Sequence, residues 1–472
     1  MNYTQIKEMR KVYKISQIKL AEISGYSPAK ISSWELGKSR PGEADLSRLC
    51  ESLNKIIFNI ETGKFDIRKK RIIRSNTKKA LPQIIKTATE YKKMLSNRIL
   101  KSECPYRDYL TTLYESAVTS KKNTAPKVIA LFSGCGGLSL GFAASGFKLV
   151  GHVDIEDSAN KIYSANFQDS CLLGTDICAL SDDEINSWKK FYGSIDVLIG
   201  GPPCQGFSLA GKRDPEDIRN QLYKYYAHIV DLIRPKIFVM ENVSLLTSMK
   251  TKSGSFFIDE IQKSFHLLGY TITINMVNAQ DYGVPQSRER VILVGSRNDL
   301  LQGKFEFPRG KYTREAKEKG YFKWRTFRDA TLDLQPLESG EHSSDPLHWA
   351  ISHPAHVIKW LKDVPEGCSA HDNADPSLRP PSGFNTTYKR IRWDEPCSTI
   401  STNFSMISGC RNVHPSSTRS LTIREAARAQ SFPDEFIFIG KWGEIRKAIG
   451  NAVPPILAKN IADAIKIQYF DD

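Results

Sequence analysis

The sequence predicts an α/β protein in which a Rossmann-like sheet carries a smaller, loop-rich domain and follows an N-terminal all-α unit. Three stretches predict this. The apolar run Lys127-Val-Ile-Ala-Leu-Phe132 enters the glycines of Ser133-Gly-Cys-Gly-Gly137, then a helix ended by Gly146, then a second run from Lys148 to Val153. Strand, glycine turn, helix and strand open a parallel sheet whose backbone approaches a bound cofactor closely. A later run, Val197-Leu-Ile199, breaks at Gly200-Gly-Pro-Pro203 and presents Cys204 just past its carboxyl end, where open sheets bind their ligands. The first 60 residues instead read as helix, glycine turn, helix.

At 472 residues the chain is long enough for two or three domains, each with its own core. A net charge of +15 and a pI near 9.2 favour a polyanionic partner, nucleic acid first. Nine cysteines without repeated close spacing point to free thiols in a reducing, cytoplasmic setting. The N-terminus lacks the apolar core of a signal peptide, and no apolar run approaches the roughly 20 residues of a membrane span, so no membrane partner is expected.

Within residues 1–60, Ser16 is placed to cap a helix through Gln17, Leu20, Ala21 and Ile23. Gly25 turns the chain, and Ser27-Pro28 opens a second helix as N-cap and first-position proline. That helix turns Ile31 and Trp34 inward and ends at Gly37 with Pro41. Gln17, Leu20-Ala21, Gly25, Ile31, Trp34-Glu35 and Gly37 resemble the phage-repressor type of helix-turn-helix DNA reader. The resemblance implies that Ser27, Ala29, Lys30 and Ser33 meet the bases, although bidentate readers are missing there. Residues 61–125 read as a basic connector, with 16 Lys and Arg against 6 Asp and Glu and the run Arg68-Lys-Lys-Arg71. Apolar residues at Ile84, Ile85, Ala88, Tyr91 and Leu95 predict helix within it, and its charge suits phosphate tracking.

Residues 126–300 hold the candidate chemistry. Asp154 follows Gly134 by 20 residues, the interval of a carboxylate that holds ribose hydroxyls, so a nucleoside cofactor is expected. Leu172-Leu-Gly174 predicts a third strand leading to Asp176, a candidate for the adenine. The polar loop from Gly211 to Arg219 has the length and charge of a mobile lid. A helix from Gln221 to Leu232 returns the chain to a strand over residues 236–240, with Glu241-Asn242-Val243 at its end. In a doubly wound sheet Glu241 and Cys204 would share one edge. Further on, the turn Asp281-Tyr-Gly-Val-Pro285 leads to Gln286-Ser-Arg-Glu-Arg290, where alternation places Gln286, Arg288 and Arg290 on one face.

Six motifs then stand in a recognisable order: Phe132-Ser-Gly-Cys-Gly-Gly137, Pro202-Pro-Cys-Gln205, Glu241-Asn-Val243, the Asp281-to-Arg290 stretch, Arg424-Glu-Ala-Ala-Arg-Ala-Gln-Ser-Phe-Pro433 and Gly450-Asn-Ala-Val-Pro454. By them the chain from about Lys127 onward resembles the cytosine-5 DNA methyltransferases of bacterial restriction-modification systems. The resemblance implies methyl transfer from S-adenosylmethionine to C5 of a cytosine flipped out of duplex DNA. A thiolate adding at C6 would push electron density onto the weakly nucleophilic C5, which gives Cys204 its role. Glu241 would grip N3 and the exocyclic amine, while Arg290, with Arg288 beside it, would bind O2 and offset charge on the ring. The cofactor would lie against Phe132, Ser133, Gly134, Cys135, Gly136, Gly137, Asp154, Ile155, Asp176, Ile177 and Pro202, with Asn451 and Ala452 at its methionine end. The loop between Ser208 and Arg219 would close from the minor-groove side, making Ser208, Arg219 and Gln286 DNA contacts. The partners implied are duplex DNA, the chain's own promoter through the N-terminal domain and, functionally, a cognate restriction endonuclease. The catalytic body is expected to be monomeric, with the N-terminal domain the one route to a dimer.

Residues 301–418 depart from the family pattern and hold four of the seven tryptophans and six of the nine histidines. The family places its target-recognition domain here, so base readers are expected within residues 382–392 and around 398–403. His348, His353, His356 and Cys368 fit no standard zinc spacing, and no metal is expected. Residues 419–472 return to the catalytic domain. Thr422-Ile-Arg-Glu425 is a capping box, Arg424 and Arg428 share a helix face that would brace the recognition domain, and a last helix runs from Pro455 to about Ile467. Two rivals remain at this point: an RNA cytosine-5 methyltransferase, and a transcriptional repressor carrying an inactive methyltransferase body.

Overall fold

The structure is a computed structural model that describes residues 3–13, 15, 17–35, 39–61, 84–100, 102–203, 221–250, 254–300, 303–384, 386–409 and 411–471. The chain divides into two compact units, Met1–Leu81 and Pro82–Asp472. Ser16, Gly37 and the basic run 68–71 lie outside the described residues.

The N-terminal unit is built from α1 (Tyr3–Val12), α2 (Gln17–Ser24), α3 (Pro28–Glu35) and α4 (Glu43–Glu61). Gly25 takes a φ of +74° between α2 and α3, a conformation that strains any side chain. Leu20, Ile31, Trp34, Leu49 and Leu53 are buried together as its core. Arg10 forks onto the Glu35 carboxylate at 2.8 and 2.9 Å and Gln17 donates to it at 2.6 Å, which ties α1 and α2 to the end of α3.

The second unit opens with α5 (Ala88–Ser96) and α6 (Pro105–Val118). Here the expected connector gives way to core structure. Tyr91 and Leu110 are completely buried, the Tyr91 hydroxyl donates to the Asp434 carbonyl at 2.8 Å, and Tyr106 donates to the Arg428 carbonyl at 3.1 Å. The amphipathic spacing of residues 84–95 therefore serves a packed face, while Lys92 and Lys93 of α5 stay on the outside.

Then follow β1 (Lys127–Leu131), α7 (Gly137–Ala144), β2 (Lys148–Val153), α8 (Asp157–Asn166), β3 (Cys171–Gly174), α9 (Asp182–Tyr192), β4 (Val197–Gly200), α10 (Leu222–Ile233), β5 (Ile237–Val243), α11 (Phe257–Leu267), β6 (Tyr270–Asn278), β7 (Gln286–Ser287) and β8 (Glu289–Arg297). Seven strands form one sheet in the order β3-β2-β1-β4-β5-β8-β6. The first five are parallel, and β8 runs antiparallel between β5 and β6. Ile129, Leu198 and Val239 are fully buried, as in a sheet covered on both faces. Strand order reverses between β1 and β4, so the glycine turn after β1 and the Pro202-Pro203 turn after β4 leave the sheet side by side. β5 does not stop before Glu241 as expected. It runs to Val243 because β8 supplies pairing partners as far as Arg290.

Beyond the sheet the chain has little regular structure: β9 (Tyr312–Thr313), β10 (Phe322–Lys323), α12 (Phe327–Thr331), α13 (Ala355–Leu361) and β11 (Cys397–Ser398), the last paired with β7. Helices α14 (Ile423–Ala429), α15 (Trp442–Asn451) and α16 (Pro455–Tyr469) close the unit. Thr422 and Glu425 form the expected capping box on α14. Arg424 reaches Asp345 at 2.8 Å and Asp434 at 3.2 Å, and Arg428 reaches Asp434 at 2.7 Å and Asp333 at 2.5 Å. Arg98 also pairs with Asp434, and Arg107 with Asp333 at 3.0 Å. The two helix arginines thus brace the residues expected to form the recognition domain, as read from the sequence.

Removing one partner of a buried charge network leaves the others uncompensated. Arg428→Ala should therefore lower stability by about 3–5 kcal/mol, read as a lower urea midpoint at unchanged m-value. A second outcome concerns acid. His152 on β2 is completely buried, stacked on Tyr163 with ring centroids 4.0 Å apart, and burial lowers its pKa from 6.5 to about 4. Between those two values the unfolded chain binds a proton that the folded chain refuses, so stability is complete above pH 6.5 and falls toward pH 4. His152→Phe should make that part of the stability–pH curve shallower, with His353, also lowered by burial to about 4, supplying part of the slope that remains; a curve parallel to the parent's would exclude His152 as a source.

Candidate active site

All the expected cofactor residues except Gly136 line a single cleft of about 380 Å³ at the β1–β4 switch point, together with Glu241, Arg288 and Arg290. Gly136 stands behind it, with a φ of +95° at the start of α7, where a Cβ would fall 2.4 Å from the Phe167 ring. Phe132 holds a φ of +51°, rare for a side-chain-bearing residue and found where a site stores strain. Asp154 accepts from the Gly134 N–H at 2.7 Å and from the Glu156 N–H at 2.9 Å. Burial pushes its pKa above the ordinary carboxylate value despite those two bonds. A Cβ at Gly134 would meet nothing within 4 Å, so the cleft passes directly over its backbone.

The Ser133 hydroxyl is buried and has no hydrogen-bond partner among the described residues. An orphaned hydroxyl, an open glycine backbone and a carboxylate with spare acceptor capacity suit a ligand rich in hydroxyl, amine and carboxylate groups. That chemistry fits S-adenosylmethionine. Exposed Ile155 and Asp176 also line the cleft, and Asp176 accepts from the Cys178 N–H at 2.9 Å. Burial lifts the Cys135 thiol to about 12, which leaves it inert although it lines the same cleft.

On β5, Glu241 pairs with Ile292 and Val243 with Arg290, which makes Glu241 and Arg290 diagonal neighbours on one face. Their side chains meet at 2.8 Å, both mostly buried. A Cβ on Gly201 would lie 3.0 Å from the Glu241 carboxylate, so the turn after β4 passes close over the pair. Asn242 donates to the Pro202 carbonyl at 3.0 Å and fixes that turn. Its part was missed in the sequence, where the triplet's acid drew the chemical reading. Cys204, Ser208 and Arg219 lie outside the described residues, which stop at Pro203 and resume at Gln221.

Two expected site residues take other parts. Gln286 is fully buried and donates to Gln430 at 2.8 Å while accepting from the Ile400 N–H at 2.8 Å, so it has no surface to offer DNA. Arg288 lines the cleft but gives its terminal nitrogens to the Ile400 and Gly450 carbonyls at 3.0 and 3.1 Å. Burial, then the neighbouring Arg290 charge, lowers its pKa well below the ordinary value. Its first task is to fix the strand that carries Arg290. The sequence also missed the ion pair of Lys447 with Glu156, 2.6 Å across the mouth of the cleft. Two sequence-distant charges on exposed positions carry no local signal.

In the N-terminal unit Ser27 is exposed and accepts from the Lys30 N–H at 3.2 Å, while Ser33 shares a hydrogen bond with Ser39 at 2.9 Å. The Lys30 ammonium lies over the rings of Tyr26 and Trp34, 4.8 and 4.9 Å from their centroids. Such contacts hold it by about 0.5–1 kcal/mol each, and the Asp45 carboxylate lies 4.0 Å from the same ammonium. The side chain of Ala29 lies outside the described residues. Among the described residues no group of three His, Cys, Asp or Glu is placed to hold a metal, and no helix is long and apolar enough to cross a membrane. His348 bridges Thr422 and the Gln335 carbonyl, and His353 contacts Ser420.

The family model for C-5 cytosine-specific DNA methylases matches residues 126–467, and a helix-turn-helix model matches residues 6–56. The Type II methyltransferase M1.HphI of Haemophilus parahaemolyticus is 38% identical over 71% of this chain and 86% of its own length. M.DdeI of Desulfomicrobium norvegicum is 33% identical over 73% of this chain and 89% of its own. A solved prophage-encoded protein of E. coli, described as a DNA modification methyltransferase, superposes with a TM-score of 0.57 at 27% identity, over 74% of this chain and all of its own. The chain therefore belongs to the cytosine-5 DNA methyltransferase family, enzymes that methylate duplex DNA with S-adenosylmethionine, and carries a helix-turn-helix unit ahead of the methylase body.

Proposed function

We propose that the chain methylates C5 of a flipped-out cytosine within a specific duplex sequence through a transient bond between the Cys204 sulfur and C6. The observation that supports it most is the Glu241–Arg290 pair at 2.8 Å, set beside the turn that leads to Cys204 and in the same cleft as the glycine turn. A base entering there meets a carboxyl group that accepts from its amine and shares a proton with N3, and a guanidinium for O2. The Cys204 thiolate adds to C6, and the electron pair of the C5–C6 double bond moves to C5. Arg290 offsets the charge that builds on the ring in a site shielded from water. Ser133, Gly134, Asp154 and the Asn451-Ala452 segment would hold S-adenosylmethionine, which would supply the methyl group as an electrophile and leave as the neutral thioether. Loss of the C5 proton to a water molecule and departure of the thiolate from C6 then restore the aromatic ring and the free enzyme.

The helix-turn-helix unit is read as a sequence-specific DNA binder that represses the chain's own promoter. The naming of its relatives as Type II methyltransferases supports pairing with a cognate endonuclease, in the cytoplasm. The loop from Ser208 to Arg219 is read as closing on the flipped base, and residues 382–392 and 398–403 as reading its neighbours.

Cys204→Ala should abolish methyl transfer while DNA affinity survives, and a duplex carrying 5-fluorocytosine should become covalently joined to the parent protein through that sulfur. An active Cys204→Ala variant, or an active parent that never becomes joined, rules out the adduct. For the regulatory half, footprinting of the full chain on DNA upstream of its own gene should show one protected site, and Lys30→Glu should erase it without changing methylation rate. An unprotected upstream region removes the repressor reading.

A further inference from the structure

We infer that the flap formed by β9, β10 and their connection is a DNA-backbone contact surface, which grips phosphates flanking the target and stands apart in sequence from the expected base readers. The inference rests on the duplex-methylating function above and assigns it residues that neither the family motifs nor the expected base readers include.

Residues 303–325 hold eight Lys and Arg against three Glu. Lys311, Arg314, Lys317, Lys319 and Lys323 are all exposed, and of these only Lys317 has a carboxylate partner, Glu315, among the described residues. A run of cations is commonly just a solvated face, and three observations separate this one from that case. The first is its rigid base. Trp324 donates to Asp281 at 3.0 Å, the Tyr312 ring lies where a Cβ of Gly283 would meet it at 2.7 Å, and the Arg325 guanidinium sits over Tyr109, Tyr106 and Tyr312 at 4.4, 5.0 and 5.3 Å. The cations thus stand on a fixed platform and lose little freedom on meeting a ligand.

The second is location. On β6, Asn278 pairs with Glu289 and Val277 with Arg290, so β6 ends at the sheet edge where β5 delivers Glu241. Two strand spacings, about 10 Å, separate those ends. The 3-10 turn Ala279–Tyr282 leaves at that edge, and the flap is bolted to it through Asp281 and Gly283. Duplex DNA presents one phosphate charge per about 1.7 Å of axis, so a helix whose base is held by Glu241 and Arg290 carries several phosphates within that distance. The third is Phe322, an aromatic ring 56% exposed among the lysines and set 5.4 Å from Tyr312. An apolar ring among free ammoniums matches the alternation of sugar and phosphate along a backbone.

The test uses the full chain with Lys311→Ser, Lys319→Ser and Lys323→Ser combined. Binding to a 40-base-pair random-sequence duplex is measured across NaCl concentrations, together with methylation of unmethylated plasmid DNA. Three lost phosphate contacts should reduce the slope of log affinity against log salt by about 2 to 3 and lower affinity roughly tenfold near 0.15 M salt. The rate at saturating plasmid and the affinity for S-adenosylmethionine should stay at parent values. The same three positions changed to Arg should restore the slope. A parent-like slope in the Ser variant overturns the inference, as does an Arg variant as defective as the Ser one, since that marks packing rather than charge. A parent chain that methylates no duplex would instead defeat the function proposed above, whereas an active parent with an insensitive variant defeats the flap alone.

Discussion

One carboxylate, that of Asp434, holds the second unit together. Three guanidiniums converge on it: Arg98 from the segment after α5, and Arg424 and Arg428 from α14. Burial alone would raise its pKa, and the charges of Arg424 and Arg428 overcome this and hold it well below the ordinary carboxylate range. The same two arginines run on to Asp345 and Asp333, in the segment expected to read DNA. None of these charges is tolerable in the interior without the others. The helices ahead of the sheet, the irregular segment of residues 301–418 and the C-terminal return must therefore assemble as one body. The β1–β4 switch point is then held at a fixed distance from that segment.

What was legible in the sequence was what is decided locally. Strand, glycine turn and helix followed from periodicity and from positions that need backbone freedom, and they placed the cleft at the switch point. The capping box at Thr422 and the shared face of Arg424 and Arg428 were likewise readable, because both lie within two turns of one helix. The failures were of another kind. Alternation correctly put Gln286 on the face of Arg288 and Arg290, but could not say that β11 and Gln430 cover part of that face. The pattern of residues 84–95 showed an apolar stripe without naming its partner, and the surrounding lysines suggested a linker where a docked helix stands. The extension of β5 through Glu241 depends on an antiparallel strand arriving some fifty residues later, which no local pattern announces.

The two arginines of β8's approach show how one motif serves two ends. Arg288 is desolvated and, among the described residues, its side chain bonds to carbonyls alone, an arrangement whose worth lies in rigidity: it fastens the strand to residue 400 and to the end of α15 at Gly450. Arg290, two residues on, meets the cleft with its charge answered by Glu241. Each group is held in place before substrate arrives, so little reorganisation is left for the moment of reaction.

That pairing also bears on discrimination within the proposed chemistry. To enter, a base must replace Arg290 as the partner of Glu241, and the exchange is neutral only if the base returns hydrogen bonds to both groups. Cytosine offers its exocyclic amine to one oxygen of the carboxyl group, its N3 to a proton carried on the other, and O2 to the guanidinium. Thymine or uracil presents a carbonyl where the amine should be, leaving an acceptor facing an acceptor in a mostly buried site. An unsatisfied buried polar group costs about 1–3 kcal/mol, more when it is charged. A pocket that is already an ion pair thus selects against the wrong pyrimidine before any sulfur–carbon bond forms, and it does so with the two residues that the chemistry requires.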